Sequence, residues 1–364
     1  MSMRSWIAPF LALPLGCAAQ GLAPFVTPLD HFMAFERGRF REVEPRKPQQ
    51  VVHAGDRIVY LDDQGRLKFR SEKSTTPGDR SGALTLIGGG AQVAFTDGTR
   101  LGIARSTGSL MLSNDATGVR VTDSLVVWHD REHGELKVCA HNNVYTVAPI
   151  TSDTAATRWQ AGANTLTFHD RRSRTIQVFY RGKVSELCDS SDVFRVSCGG
   201  DVVAYWDPGP RRFMVMDHDA RKVLEEFAPI DFQAGDGLLA YTDALVSFNL
   251  YRSGTSVKVL DHQPTRYWVK DSTVVFVDRG MFWTVEQGRA EVVEEYVPEQ
   301  WEVDGGSIVY LDLNREIREY HHGRRALLSR EARIARFERY GDVVLYRNEL
   351  GTLKAAWNGR VHEY

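Results

Sequence analysis

The chain has 364 residues, is 43% apolar and 25% charged, and carries a formal net charge of −2. This is a globular composition, which excludes a disordered chain and the basic footprint of a nucleic-acid binder. Length alone allows two or three ordinary domains or one large repeat domain.

The first segment, MSMRSWIAPFLALPLGCAAQ, places Arg4 before an apolar run from Trp6 to Leu15 and small residues at 16–19. It resembles a secretory signal peptide, with cleavage expected after Ala19. Lipoprotein processing at Cys17 is the competing expectation, but Pro14 stands where a lipobox carries leucine. No later segment reaches the ~18–20 apolar residues of a spanning helix. Export to the periplasm or the extracellular space is therefore expected. Past residue 19 the cysteines are Cys139, Cys188 and Cys198, an odd set that makes no disulfide framework. Cys188 and Cys198 read as lying on the third and fourth strands of one unit. Their places at the strand ends favour buried free thiols over a bond between them.

The rest of the chain repeats. Tyr60, Phe95, Trp128, Phe168, Tyr205, Tyr241, Phe276, Tyr310 and Tyr346 follow one another at intervals of 35, 33, 40, 37, 36, 35, 34 and 36 residues. A period of this size signals a solenoid, a propeller or an array. Around Tyr205 one period resolves into four short segments, VVAYW, FMVMD, KVLEEF and DFQAG, rich in the β-branched and aromatic residues that suit half-buried strands. Arg181-Gly182, Gln287-Gly288, His322-Gly323 and Asn358-Gly359 supply the turn chemistry of tight hairpins. No window holds a 3.6-residue apolar period of helix length, so the fold is expected to be all-β.

Four antiparallel strands repeated about every 36 residues resemble the β-propeller superfamily. The resemblance implies a single closed propeller of four-stranded blades over residues 20–364, with the recurring aromatic packed between blades. Counting the aromatics gives eight or nine blades. The segments in 31–56 read as the second to fourth strands of a split blade, completed by strands from the C-terminus. The resemblance extends to the fold alone: the Gly-His/Trp-Asp pair of WD40 repeats and the Asp-box are both missing, and YWDP at 205–208 matches the YWTD signature once and superficially.

Two residues after each aromatic stand Asp62, Asp97, Asp130, Asp170, Asp207, Asp243, Asp278, Asp312 and Asn348. A carboxylate there suits an Asx-turn, accepting backbone N–H groups of the next turn. A ring of carboxylates at one channel mouth is the functional alternative. In WHDREH (128–133), His129, Asp130 and His133 have the chemistry of a metal site, with solvent-exposed histidines as the plain reading. Trp159, Phe232, Trp268, Trp301 and Phe337 stand eight or nine residues ahead of the repeat aromatic, in what reads as the fourth strand. They are candidates for sugar stacking or partner contact, or else for burial between blades. The basic stretch Arg324 to Arg339 reads as a solvated strand surface. GxSxG, P-loop, HExxH and GxGxxG motifs are lacking, and only 71–82 and 147–157 exceed tight turns. These features point to an exported, monomeric, non-enzymatic scaffold without a cofactor, which binds another envelope protein or a glycan and no nucleic acid. A secreted hydrolase or lyase with its site assembled around the channel is the alternative.

Overall fold

A computed structural model describes residues 21–71, 74–105, 108–150, 158–189, 194–331 and 333–364. The leader, Cys17 and most of the 147–157 loop lie outside the described residues. Every regular element among the described residues is a β-strand. Each strand pairs antiparallel with its neighbours in the chain, and the result is ten separate sheets. They span 22–44, 50–81, 84–113, 116–149, 159–189, 196–225, 231–260, 266–294, 301–327 and 337–363, and are numbered sheets 1 to 10 in that order. Sheet 1 has three strands, which stand in phase with the second, third and fourth strands of the other nine and are numbered so below, and those nine have four.

Ten sheets correct the expected eight or nine. The missed repeat is headed by LAPFV at 22–26, where Phe25 stands 35 residues before Tyr60. It escaped the count because Pro24 sits in the strand and Thr27 takes the place of the aspartate. The strand phase also shifts. Segments such as DFQAG, read as fourth strands, instead open the next sheet: 231–234 is the first strand of sheet 7. Sheet 10 is complete on its own, so among the described residues the chain ends share no strand, contrary to expectation. Residues 75–81, read as loop, form the fourth strand of sheet 2.

The first strands of consecutive sheets touch, as 50–54 does 84–89 and 196–198 does 231–234, which places them nearest the axis. Between sheets lie apolar clusters. Tyr205 of sheet 6 packs with Ile176 and Val178 of sheet 5, and Tyr310 of sheet 9 packs with Val275 and Phe282 of sheet 8. The recurring aromatic is thus buried between neighbouring sheets. Three of its hydroxyls tie back to the preceding outer strand: Tyr60 donates to Glu44 (2.8 Å), Tyr241 to Glu225 (3.0 Å) and Tyr310 to Glu294 (2.6 Å). Sheets 1 and 10 are also in contact. Ala23 and Phe35 pack on Val343, Leu345 and Ala355, and Arg347 Nη2 donates to the Val26 carbonyl at 3.4 Å.

Near the axis the sheets meet backbone to backbone. The amide of Gly200 donates to the Gly235 carbonyl (3.2 Å) and that of Asp236 to the Asp271 carbonyl (2.7 Å). A Cβ built on Gly199 would lie 2.0 Å from the Gly235 carbonyl oxygen, and one on Gly235 would lie 2.3 Å from that of Asp271. Only glycine fits such an approach. Replacing Gly199 by alanine is expected to cost about 1–3 kcal/mol through overpacking against backbone that cannot turn aside. The exposed Gly209, whose nearest neighbour would be 3.5 Å away, should tolerate alanine to within about 0.5 kcal/mol. Equal losses for both variants in chemical denaturation would contradict the crowding at the axis.

Cys139, Cys188 and Cys198 are free and buried. Cys188 lies on the outer strand of sheet 5 and Cys198 on the inner strand of sheet 6, so they do not share a sheet as expected. Burial pushes the Cys188 thiol up to about 12 and that of Cys198 to about 11. Both therefore stay protonated at pH 8, and the thiolate is the reactive form. Iodoacetamide at pH 8 is expected to leave all three peptides unlabelled in the native protein. In guanidinium without reductant it should label all three, whereas protection of Cys188 and Cys198 that only reductant removes would reveal a bond.

Candidate functional site

Antiparallel strands send alternate turns to opposite faces of the ring. One face carries the turns between first and second strands, close to the axis, and the hairpins between third and fourth strands. The other, the connector face, carries the second-to-third turns and the links from each sheet to the next.

The aspartates two residues past the aromatic stand at the end of the second strand or just past it, and several cap backbone N–H groups of the turn that follows. Asp62 Oδ1 accepts from Gln64 and Arg66, both at 2.9 Å, and Asp243 Oδ1 from Leu245 (2.9 Å) and Ser247 (2.8 Å). Asp312 Oδ1 does the same for Asn314 and Glu316 at 2.9 Å. Asp170 accepts from Arg172 (2.9 Å) and Asp207 from Gly209 (3.1 Å). Asn348 caps Leu350 (3.1 Å) and Thr352 (2.9 Å) through its amide oxygen, without a charge. Asp97 meets Arg100, and Asp278 meets His262 at 3.1 Å.

The structure divides the WHDREH cluster. His129 and Asp130 are adjacent in a strand and point to opposite faces of the sheet. Asp130 accepts from Lys137 Nζ (2.6 Å) and contacts His133 Nδ1 (2.9 Å). Burial pushes its carboxyl up, but those two partners outweigh burial and hold it below the usual range. Asp130, Glu132 and His133 bring ligand-type atoms within 4.8 Å of one another, with Lys137 already on the carboxylate. His129 turns the other way, and its Nε2 accepts from the Trp159 indole N–H at 3.0 Å. Burial holds the His129 pKa down, which keeps the ring neutral and Nε2 free to accept.

Trp159, Trp268 and Trp301 lie on first strands, next to the axis, and not on outer strands as expected. Trp301 pairs with Tyr310 as Trp159 does with Phe168, but the residue opposite Phe276 is Tyr267. Trp268 is one residue out of register and points to the other side of its sheet. There it meets Trp301 edge-on, with centroids 5.1 Å apart, beneath the Arg266 guanidinium at 4.8 Å.

Acidic side chains do gather at the axis, but they are other aspartates. Asp123, Asp236 and Asp271 stand in the first-to-second turns of sheets 4, 7 and 8, with carboxylate oxygens within 4.8 Å of one another. Burial raises the Asp236 pKa, and the charges of Asp123 and Asp201 add to it. Burial also raises that of Asp271, against the pull of Lys270 and with the help of Asp123 and Asp236. Oxygen donors so placed have the chemistry to hold a hard cation or to share a proton. The glycine-aspartate pairs at 55–56, 200–201, 235–236 and 341–342 were visible in the sequence. The meeting of residues from sheets 4, 7 and 8 was not, because it depends on how separate sheets are arranged about the axis and not on any one repeat.

A family model described as a 10-bladed beta propeller domain matches residues 17–362. The chain belongs to this family. Ten blades agree with the ten sheets. No curated protein is significantly similar to this ten-bladed propeller. Among solved structures it is similar to the computationally designed Ika8 protein, at 12% identity over 84% of this chain and 95% of that one, with a TM-score of 0.38. The CRINKLY WD40 ectodomain of the Arabidopsis thaliana receptor kinase ACR4 matches at 11% identity, 69% and 97% coverage and a TM-score of 0.37. PorZ of Porphyromonas gingivalis, a surface component of the type-IX secretion system, matches at 10% identity, 95% and 52% coverage and a TM-score of 0.27.

The capping role of the propeller's aspartates makes a direct prediction. Asp243→Ala strips acceptors from two backbone N–H groups and should cost about 1–3 kcal/mol. Asp243→Asn keeps Oδ1, as Asn348 does naturally, and should recover most of that loss in thermal unfolding. Equal destabilisation by both would assign the residue to charge and not to capping.

Proposed function

We propose that this ten-bladed propeller is an exported, non-enzymatic recognition scaffold that binds another envelope protein or a glycan through one face of the ring. One observation carries this reading: the groups with reactive or binding chemistry already serve the fold. His129 is hydrogen-bonded to Trp159, Asp130 to Lys137, and Asp243 and Asp312 to turn amides, while Trp268 packs edge-on against Trp301. What remains for a partner is a broad surface of short turns on a rigid ring. The leader-like segment at the N-terminus supports export, and no helix among the described residues is long and apolar enough to cross a membrane.

A channel-centred hydrolase or lyase is the second reading, favoured by the convergence of Asp123, Asp236 and Asp271. Two measurements separate them. Cross-linking of the tagged protein in envelope fractions, together with a glycan array, should return a saturable ligand whose binding survives Asp236→Asn and Asp271→Asn. Turnover of envelope polysaccharide or ester substrates that vanishes in those two variants would replace the scaffold with the enzyme.

A further inference from the structure

The second-to-third turns of sheets 1, 7, 9 and 10 each carry a leucine at the tip: Leu29 is 81% exposed, Leu245 85%, Leu313 76% and Leu350 89%. The fold does not ask for leucine there. The matching turns of sheets 2, 5 and 6 hold Gln64, Arg172 and Gly209 with the same Asp cap. All four leucines lie on the connector face, and so does Phe227, in the link between sheets 6 and 7 and 71% exposed. Sheets 9, 10 and 1 are neighbours, and packed sheets stand about 10 Å apart. Leu313, Leu350 and Leu29 therefore form a row of separate apolar tips.

Between the last two of these turns opens a cleft of about 300 Å³. Its walls include Phe25, Phe337, Leu345 and Leu353, and its charged residues are Arg336, Arg347 and Glu338. The link between sheets 9 and 10, 328–336, adds Arg330, and the link that leaves sheet 1, 45–49, adds Lys47. Arg330, Arg336 and Lys47 are exposed and form no ion pair among the described residues. Among the described residues three cations without ion pairs thus stand near the exposed leucines, and the acids next to the tips include Asp30 beside Leu29 and Glu349, paired with Arg333, beside Leu350.

We infer that this arc of the connector face docks on an anionic lipid bilayer, with the leucine tips in the acyl boundary and Arg330, Arg336 and Lys47 against headgroup phosphates. A protein partner would demand a continuous apolar centre depleted of charge. A bilayer accepts single side chains set apart by polar backbone, each buried separately, with cations at phosphate depth. Separated tips interleaved with arginines match the second pattern.

The experiment uses the full chain and sucrose-loaded vesicles of phosphatidylcholine with and without phosphatidylglycerol. The triple variant Leu29→Ser, Leu313→Ser, Leu350→Ser is expected to bind phosphatidylglycerol vesicles at least about tenfold more weakly than the parent. Arg330→Gln, Arg336→Gln and Lys47→Gln together should abolish the preference for anionic lipid. Val184→Ser, at a third-to-fourth hairpin on the other face, should change nothing. A second readout is independent of the N-terminal segment: a dye on Leu350→Cys, in a chain with Cys17→Ser and beside the buried Cys139, Cys188 and Cys198, should shift to the blue on vesicles. Vesicle binding that is unchanged in the leucine variant, or absent from the parent, overturns the inference, as does a dye that stays in water. Loss of a protein ligand in the leucine variant without vesicle binding by the parent would assign the face to a protein instead.

Discussion

Sheets that radiate from one axis bring their innermost backbones closer than side chains permit, and the fold depends on how that conflict is met. Glycine meets it at 162, 199 and 235, where the Cα itself is the surface on which the next sheet rests. Backbone groups then bond across sheets as well as within them. Glutamine extends the same device along the inner strands. Gln50 both accepts from the Leu86 amide (2.8 Å) and donates to its carbonyl (2.7 Å). Gln300 spans the Phe337 amide and carbonyl in the same way, at 3.1 and 2.7 Å. A primary amide offers one donor and one acceptor in the spacing of a peptide group, so each glutamine replaces part of a strand that has no room to form. Farther from the axis the spacing widens, and rings take over as the spacers between sheets.

How far the sequence revealed this differs from feature to feature. The period, the strands and the turn chemistry were legible because they are local, and each repeat states them again. The aspartate caps were legible for the same reason, since an Asx-turn is written within five residues. The tenth sheet was hidden by Pro24 and Thr27, two departures from the repeat in one strand, although Phe25 kept the period. Trp268 misled because a count of eight or nine residues ignores parity, and in a strand one residue changes the face. His129 looked like a partner of Asp130 and His133 because the three are close in sequence, and the same alternation turns it away from Asp130, the residue that His133 contacts. Asp123, Asp236 and Asp271 were beyond reach, because their proximity belongs to the ring and to no single repeat.

Sheet 1 shows how an incomplete unit is made safe. Its innermost strand, 22–26, has no further strand on its inner side among the described residues, and an unpaired edge invites pairing with another chain. Pro24 removes one donor from it. The Arg347 guanidinium covers the Val26 carbonyl. His53 and Tyr340, from the inner strands of sheets 2 and 10, bring their ring centroids to 5.2 Å across the same place. Side chains thus occupy the edge that a strand covers in the other sheets.

The packing of sheet 1 on sheet 10 also has a chronology. Every other sheet meets a neighbour made just before or just after it, whereas Arg347 and Val26 lie 321 residues apart. At the usual pace of about 5–20 residues per second, Ala23 and Phe35 wait on the order of tens of seconds for Val343, Leu345 and Ala355 to be synthesised. During that interval the first sheet is a nascent edge and an uncovered apolar face at once. Pro24, a weak residue by the standards of the finished strand, guards that edge while the rest of the protein is still being made.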